Sequence, residues 1–337
     1  MKTPIIISLT STILKKEEIK YIEKYKPFGI IFFSRNIQTI DQLKKLINSL
    51  KILSPSTLIF VDQESGIVDR FKFFKHLNFL NNYDYYKIYL KNKELAKILI
   101  YLKSYITSYY LNEWGFNSNT VPVLDIPITK TAKFISKRTF GPNLKIVKKL
   151  NEIIILNNFK FGLIPVVKHI PGHGVTSKDS HKVIPSTNIS LNELAPHFTS
   201  FKNFNYLPLA MTAHIIYKKI DPNYIATFSE KIINQIIRTK INFQGLLMTD
   251  DLSMKAVKFD HQAICDLSNK VDIDILLDCS NNFDKYIYFS ENFNKTDRYS
   301  LFIKNKKNWI KKKSIFKDIN IKDYRDIYDN ILKKNGI

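Results

Sequence analysis

Glycine, cysteine and long apolar runs are scarce in this sequence. Only 9 of its 337 residues are glycine, and none of them falls in residues 9–18, which follow the first apolar run. A doubly wound, nucleotide-binding sheet usually carries a glycine-rich phosphate loop at this point, so this segment argues against that fold. The two cysteines, Cys265 and Cys279, are too few for a disulfide framework, which fits a reducing compartment.

Segments that direct a protein to a membrane or out of the cell are also missing from the pattern. No apolar run approaches the length that crosses a bilayer, and the first residues lack the layout of a secretory signal. A hydrophobic fraction of 45% with 13% aromatics is too high for a disordered chain. We therefore expect a folded, soluble protein of the cytoplasm that does not bind membranes.

The net charge of +22 raises the possibility of a nucleic-acid partner. The lysines are spread along the whole chain, however, with the densest run at residues 304–313, and no RNA- or DNA-binding motif accompanies them. We expect a solvated basic surface and no specific nucleic-acid binding.

Short apolar runs alternate with amphipathic segments along the chain. Runs of this kind suit parallel strands that are buried on both faces. The predicted strands are 5–8, 29–33, 57–62, 120–125, 162–169, 208–214, 245–250 and 272–278. The predicted helices are 16–25, 40–53, 95–113, 144–158, 191–201, 229–239 and 261–269, followed by basic helical segments at 300–312 and 323–334. This alternation predicts one α/β domain over residues 1–337, a single (β/α)8 barrel of TIM type.

Polar side chains stand at the C-terminal ends of several predicted strands. They are Asp62, Asp125, Lys168, His169, His214, Asp250 and Asp251. A single acid after a strand is often only a helix cap, but the C-terminal edge of a barrel carries the active site. Because several strands end in this way, the pattern favours an enzyme.

The segment "VVKHIPGHGVTSKDSH", residues 166–181, holds three of the seven histidines. A zinc site with helical spacing is unfavourable here, since Pro171 and Gly172 interrupt any helix between His169 and His173. Asp179 and His181 are two residues apart and project to one side of an extended chain, so the carboxylate can orient the imidazole for proton transfer. We expect a proton-transfer loop that needs neither metal nor cofactor.

The sequence shows no serine or cysteine elbow of the kind used in acyl transfer. The strand-end carboxylate Asp250 can instead serve as a nucleophile, as in retaining glycoside hydrolysis. A carboxylate nucleophile combined with a histidine acid/base departs from the usual pair of carboxylates.

Seven sequence blocks together resemble glycoside hydrolase family 3, most closely its short, single-domain bacterial β-N-acetylglucosaminidases of peptidoglycan recycling. The blocks are "FSRN" (33–36), "VDQESGIVDR" (61–70), "PVLD" (122–125), "SKRTFG" (136–141), "KHIPGHG…DSH" (168–181), "MTAHIIY" (211–217) and "FQGLLMTDDLSMKAV" (243–257). The most specific are "KHIPGHG…DSH" and "TDDLSM". The chain departs from the family where two glycines and an arginine usually follow the "DQE" block, and where Asp272 replaces a usual glycine.

The resemblance implies a role for each matching position. Asp250 matches the nucleophile, His181 the general acid/base and Asp179 its partner. The positions that match residues holding N-acetylglucosamine are Asp62, Arg70, Arg138, Lys168 and His169.

The implied activity is a retaining exo-β-N-acetylglucosaminidase that removes terminal N-acetylglucosamine from muropeptides, acting as a monomer on this small-molecule substrate. One alternative is a related hydrolase or phosphorylase with another sugar, and a second is a catalytically lapsed sugar-binding protein. A third is a basic RNA-associated protein, which a salt-dependent affinity for RNA would reveal.

Overall fold

A ring of parallel strands forms the centre of the molecule. The computed structural model describes residues 3–178, 183–310 and 320–337. The barrel strands are β1 (Thr3–Ser8), β2 (Pro27–Phe32), β3 (Leu58–Val61), β4 (Ser118–Asn119), β5 (Ile164–Ile170), β7 (Leu209–Thr212), β9 (Leu246–Met248) and β10 (Leu276–Asp278). β10 pairs with β1, and a parallel bridge between Met248 and Ile275 joins the last two strands. The predicted (β/α)8 barrel is confirmed.

The fourth strand differs from the prediction. Residues 120–125 were expected to form it, but its ladder with β3 and β5 lies at Ser118–Asn119. Beyond that point the pairing is irregular, with a hydrogen bond from the N–H of Val166 to the carbonyl of Val121 at 3.0 Å and an isolated bridge between Val123 and Lys168. Pro122 has no N–H to donate, and the N–H of Val121 turns back to the carbonyl of Asn119 at 2.8 Å. The apolar run therefore extends past the strand into a loop over the mouth of the barrel.

Helices surround the barrel, and most begin and end within two residues of the predicted positions. They are α1 (Lys16–Tyr25), α2 (Ile40–Leu53), α3 (Asn82–Lys91), α4 (Lys93–Trp114), α5 (Lys133–Arg138), α6 (Leu144–Lys160), α7 (Leu191–Lys202), a π-type helix (Lys231–Lys240), α8 (His261–Lys270), α9 (Phe283–Asn292), α10 (Asp297–Ile310) and α11 (Ile321–Lys334). The sequence pattern missed α3, α5 and α9. The predicted helix 300–312 begins earlier, with α10, and its last residues lie outside the described ranges. Over those ranges, no helix combines the length and apolar character that a membrane span requires.

The basic C-terminal segment closes the lower end of the barrel. The inward-facing strand residues form their own apolar cluster, and Tyr299 and Phe302 of α10 are part of it. Each of these two rings lies 5.6 Å, centroid to centroid, from the ring of Phe28. The Tyr299 hydroxyl donates to the carbonyl of Thr3 at 3.3 Å. With this end filled, the opposite, C-terminal end is left for the site. Two short strands outside the barrel, β6 (Ser186–Thr187) and β8 (Ile216–Tyr217), pair with each other.

Candidate active site

A cavity of about 280 Å³ opens at the C-terminal ends of the barrel strands. Six of the predicted site residues line it together: Asp62, Arg70, Arg138, Lys168, His169 and Asp250. The other two, Asp179 and His181, lie outside the described residues. Residues that are more than 180 positions apart in the chain therefore meet at one mouth, as the strand-end pattern predicted.

Asp62, just beyond β3, is surrounded by donors. Its Oδ2 accepts from Nη2 of Arg70 at 2.7 Å, and its Oδ1 accepts from Nζ of Lys168 at 2.5 Å and from the Thr120 hydroxyl at 2.8 Å. Burial alone would raise the pKa of Asp62, but the positive charges of Lys168 and Arg70 outweigh it and hold the pKa well below its ordinary value. Asp62 is therefore a fixed carboxylate at the mouth that can accept hydrogen bonds from a bound molecule.

A second carboxylate, Glu64, binds the same lysine. Arg138 grips it with two parallel bonds, Nε to Oε2 at 2.9 Å and Nη2 to Oε1 at 2.7 Å, and Nζ of Lys168 lies 2.6 Å from Oε1. Burial raises the pKa of Glu64, yet the Arg138 and Lys168 charges bring it below the ordinary value. Lys168 thus joins both acids and both arginines into one network. Glu64 was not among the predicted site residues, although it lies inside the "VDQESGIVDR" block.

His169 is hydrogen-bonded to Asp125, an acid that the sequence analysis noted at a strand end without assigning it a role. Asp125 Oδ2 lies 2.7 Å from Nδ1 of His169, and Oδ1 accepts the backbone N–H of His173 at 2.6 Å. Although burial raises the pKa of Asp125, the neighbouring His169 lowers it to about 2. A proton on Nδ1 leaves Nε2 of His169 as an acceptor, and Nη2 of Arg138 is 3.4 Å from it.

Lys168 and His169 are adjacent in β5, yet both line the cavity. Consecutive side chains of a regular strand point to opposite faces. The pairing of β5 with β7 shifts register between Lys168 and Ile170, and such an irregularity re-aims side chains. A sequence pattern with period two could not have placed both residues in the site.

Two adjacent acids, Asp250 and Asp251, follow β9 and line the cavity. Both oxygens of Asp251 are occupied by the loop: Oδ1 accepts the backbone N–H groups of Ser253 and Cys279, each at 2.9 Å, and Oδ2 accepts the Ser253 hydroxyl at 2.7 Å. Asp250 Oδ1 accepts the backbone N–H of Asp251 at 2.8 Å. These contacts give Asp251 a structural task in the loop that follows β9. Nearby, the ring of buried His214 lies with Nε2 3.3 Å from the Asp251 carbonyl oxygen.

Apolar and aromatic side chains form the remaining wall of the cavity. Phe33, Ile67, Phe134 and Met254 are among them. The Arg70 guanidinium lies 5.0 Å from the Phe33 ring centroid, and that of Arg138 lies 5.2 Å from the Phe134 ring centroid. Phe134 was missed because its helix, α5, was not predicted. The lining thus combines apolar side chains with about as many polar and charged groups, which can fix the orientation of a small polar molecule.

The "PGHG" turn is packed tightly at the mouth. A Cβ on Gly174 would lie 1.9 Å from the carbonyl oxygen of Ile126, so only glycine allows this approach. The Gly174 carbonyl accepts from the hydroxyl of Thr131, just before α5. This anchors the start of the loop that leads to Asp179 and His181. In the ranges that the structure covers, no three His, Cys, Asp or Glu residues cluster closely enough to hold a metal ion.

Comparisons with known proteins agree with this geometry. Residues 6–306 match the glycosyl hydrolase family 3 N terminal domain. A Beta-hexosaminidase from Methylobacillus flagellatus is 31% identical over 259 residues, which cover 75% of this chain and 72% of that protein. A Beta-hexosaminidase from Histophilus somni is 31% identical over 285 residues, 82% of this chain and 80% of that protein. The crystal structure of NagZ from Neisseria gonorrhoeae in complex with N-trifluoroacetyl-D-glucosamine superposes with a TM-score of 0.86 at 26% identity, over 98% of each chain. A barrel with this mouth, matched over this length, makes the chain a member of glycoside hydrolase family 3.

Proposed function

We propose that this glycoside hydrolase is a retaining exo-β-N-acetylglucosaminidase. The observation that carries the proposal is the cavity that Asp250 lines together with Asp62, Lys168 and Arg138, the last two of which also bind the buried Glu64. The relatives named Beta-hexosaminidase, and a neighbour solved with an N-acylated glucosamine, support an N-acetylhexosamine as the sugar.

The network can hold one sugar ring by complementary hydrogen bonds. Asp62 accepts from sugar hydroxyls, while Lys168 and Arg70 donate to them. Lys168 and Arg138 also keep the two buried acids ionised, so the acceptors are ready before the sugar arrives. Fixed donors and acceptors of this kind orient the bound ring against Asp250.

Asp250 attacks the anomeric carbon in the proposed reaction, and a covalent glycosyl-enzyme forms as the aglycone leaves. His181 donates a proton to the departing oxygen and then removes one from the attacking water, with Asp179 orienting its ring. These two residues lie outside the described ranges, so their roles rest on the resemblance. Because the "PGHG" turn is anchored at the mouth of the barrel, the segment that leads to these two residues begins beside the cavity.

Muropeptides with a terminal N-acetylglucosamine are the proposed natural substrates, hydrolysed in the cytoplasm during peptidoglycan recycling by a monomeric enzyme without metal. The lactyl and peptide carboxylates of such substrates suit a chain of net charge +22.

Full activity after treatment with a chelator is expected, because the proposed reaction uses no metal. Activity that falls with the chelator and is restored by zinc would refute the metal-free mechanism.

The test begins with release of a chromogenic phenol from β-N-acetylglucosaminide and β-glucoside substrates. We expect hydrolysis of the first and little of the second. Asp250→Asn should abolish turnover on both, because the amide cannot form the glycosyl-enzyme, and no pre-steady-state burst of phenol should remain. The matched control is Asp260→Asn, an exposed acid that caps α8 outside the cavity. A burst that persists in Asp250→Asn rules out Asp250 as the nucleophile.

The acid/base role is tested with two leaving groups. His181→Ala should be severe for a sugar aglycone but milder in the first step for an activated phenol, which leaves without a proton. Asp179→Asn should show a smaller version of the same selectivity, because the imidazole remains but is less well oriented. Equal impairment on both leaving groups would remove His181 from this role.

A further inference from the structure

A buried lysine, Lys103 of α4, lies behind the sugar-binding network. It is 4% exposed and borders a small cavity of about 20 Å³, which Glu64 also lines. Burial lowers the pKa of Lys103 to about 7, and the Glu64 charge opposes that decrease. Burying an amine in this way costs stability that an apolar side chain at the same position would not.

The side chain of Lys103 is connected to Arg138 through one residue. Its Nζ donates to Oδ1 of Asn82 at 2.7 Å, and Nδ2 of Asn82 donates to the backbone carbonyl of Arg138 at 2.8 Å. Asn82 is the first residue of α3, and Arg138 is the last residue of α5. The chain of bonds therefore runs from α4 through α3 to the residue that grips Glu64.

The small cavity is polar enough to hold a water molecule. Among the described side chains, the buried oxygens Ser65 Oγ, Thr107 Oγ1 and Asn158 Oδ1 lack hydrogen-bond partners, and all three residues line it. A volume of about 20 Å³ is enough for one water.

We infer that Lys103 and Asn82 are positioning residues for sugar binding, which act through Arg138. Asn82 fixes the backbone from which the Arg138 side chain extends, and Lys103 fixes the amide of Asn82. Lys103 and Glu64 also line the same small cavity, apart from the active-site cavity. The inference rests on the proposed function, because it assigns Arg138 to the binding of the sugar.

Lys103→Met tests the inference with little change in side-chain length. Removal of a buried amine should leave the fold intact, as a melting curve will show. We expect KM for the chromogenic β-N-acetylglucosaminide to rise about tenfold, with kcat changed by less than about twofold, since a lost charge-assisted bond is worth roughly one order of magnitude. Asn82→Leu should act in the same direction. Lys93→Met, an exposed lysine of the same helix, is the matched control and should match the wild type.

A double-mutant cycle separates positioning from general destabilisation. If Lys103 acts through Arg138, adding Lys103→Met to Arg138→Ala should lower kcat/KM by less than about twofold further, because the group that transmits the effect is gone. The inference is refuted if the effects of the two substitutions are fully additive. It is also refuted if Lys103→Met has a normal KM while Arg138→Ala is impaired. Either result leaves the proposed function standing. If the wild type releases no phenol, the proposed function fails, and the same cycle is measured with the dissociation constant of N-acetylglucosamine by calorimetry.

Discussion

At the scale of single residues, the site contains charged side chains whose burial is favourable only because each is paired with an opposite charge. Glu64, Arg138 and Lys168 are each less than 10% exposed, and each satisfies the others. Removing one partner from such a group leaves an uncompensated charge, which costs more than the bond itself. The network is therefore stable only as a unit, and a substitution in it should affect both stability and binding.

Arg138→Ala should lower kcat/KM by an amount equivalent to about 1.5–3 kcal/mol, the usual value of a hydrogen bond to a charged group. It should also reduce the free energy of unfolding, by about 3 kcal/mol, because Glu64 loses its bidentate partner. Arg138→Lys keeps the positive charge but cannot form the two parallel hydrogen bonds of a guanidinium. Its kcat/KM and its free energy of unfolding should lie between those of the wild type and Arg138→Ala. Steady-state kinetics and urea denaturation measure the two effects, and an unchanged kcat/KM would exclude Arg138 from the site.

Two departures from the family pattern fall where the backbone has positive φ. Ser65 has φ 75° and Asp272 has φ 62°, a region that disfavours residues with a Cβ. Asp272 has a compensating contact, an ion pair with Nη2 of Arg298 on α10 at 2.5 Å. The buried hydroxyl of Ser65 has no hydrogen-bond partner among the described residues, so its side chain makes no contact comparable to that ion pair.

Ser65→Gly should therefore raise the free energy of unfolding by about 0.5–1 kcal/mol, since glycine adopts this conformation at no steric cost. Ser49→Gly on the exposed face of α2 is the control, and should lower stability by about 0.5 kcal/mol because glycine weakens a helix interior. Thermal melting of the two variants gives opposite signs if the explanation is right. A lower melting temperature for Ser65→Gly would contradict it.

At the scale of the elements, the two C-terminal helices pack against different parts of the barrel. α10 fills the lower end with Tyr299 and Phe302, whereas α11 lies against α4. On α11, Tyr328 is fully buried, its hydroxyl lies 2.6 Å from that of Tyr85, and its ring meets Phe79 edge to face at 4.9 Å. The basic helical ends predicted from sequence are thus integral to the packing of the barrel.

Tyr328→Ala should destabilise the protein by about 3–5 kcal/mol, the cost of removing a large buried aromatic side chain. Ile327→Ala, a half-exposed neighbour on the same helix, should cost less than about 1 kcal/mol. Denaturant midpoints of the two variants measure this difference. Equal midpoints would mean that α11 contributes little to the folded barrel.

At the scale of the whole molecule, buried histidines link stability to acid. Burial lowers the pKa of His197 to about 4, and also that of His173 to about 4, from the ordinary 6.5. Between pH 6.5 and 4 the unfolded chain therefore binds protons at these positions while the folded chain does not. The free energy of unfolding must therefore fall as the pH is lowered through this window. Above pH 6.5 the contribution of these two histidines to stability is fully present.

His197→Leu should reduce the loss of stability between pH 7 and pH 5 by about 1–2 kcal/mol, because one depressed group no longer titrates. Leucine suits the site, since Nδ1 of His197 has no hydrogen-bond partner within the described part of the chain. His261→Leu, at an exposed position, should leave the loss unchanged. Urea denaturation at both pH values is the measurement, and identical pH dependence in the wild type and His197→Leu would contradict the assignment.

Features that arise from local burial could be predicted from the sequence. Apolar runs buried on both faces located the barrel strands, and amphipathic periodicity placed α2 within the same residues that the structure shows. The prediction failed where local pattern and local geometry disagree: Pro122 ended the ladder of β4 early, and the aromatic α3 and short α5 lack clear periodicity. Strand ends and motif blocks also identified six of the residues that line the cavity, but not its aromatic wall at Phe134.

The alternation of strands and helices, and the types of residue at the strand ends, follow from the local order of amino acids, because burial and backbone pairing depend on neighbouring residues. Which charges meet is set by the folded barrel. Lys168 pairs with Asp62 across 106 positions and Arg138 with Glu64 across 74. The side chains of Lys168 and His169 reach the same cavity at the point where β5 shifts its register against β7. Such pairings depend on distances between elements that closure of the barrel sets, and no local pattern in the chain encodes them.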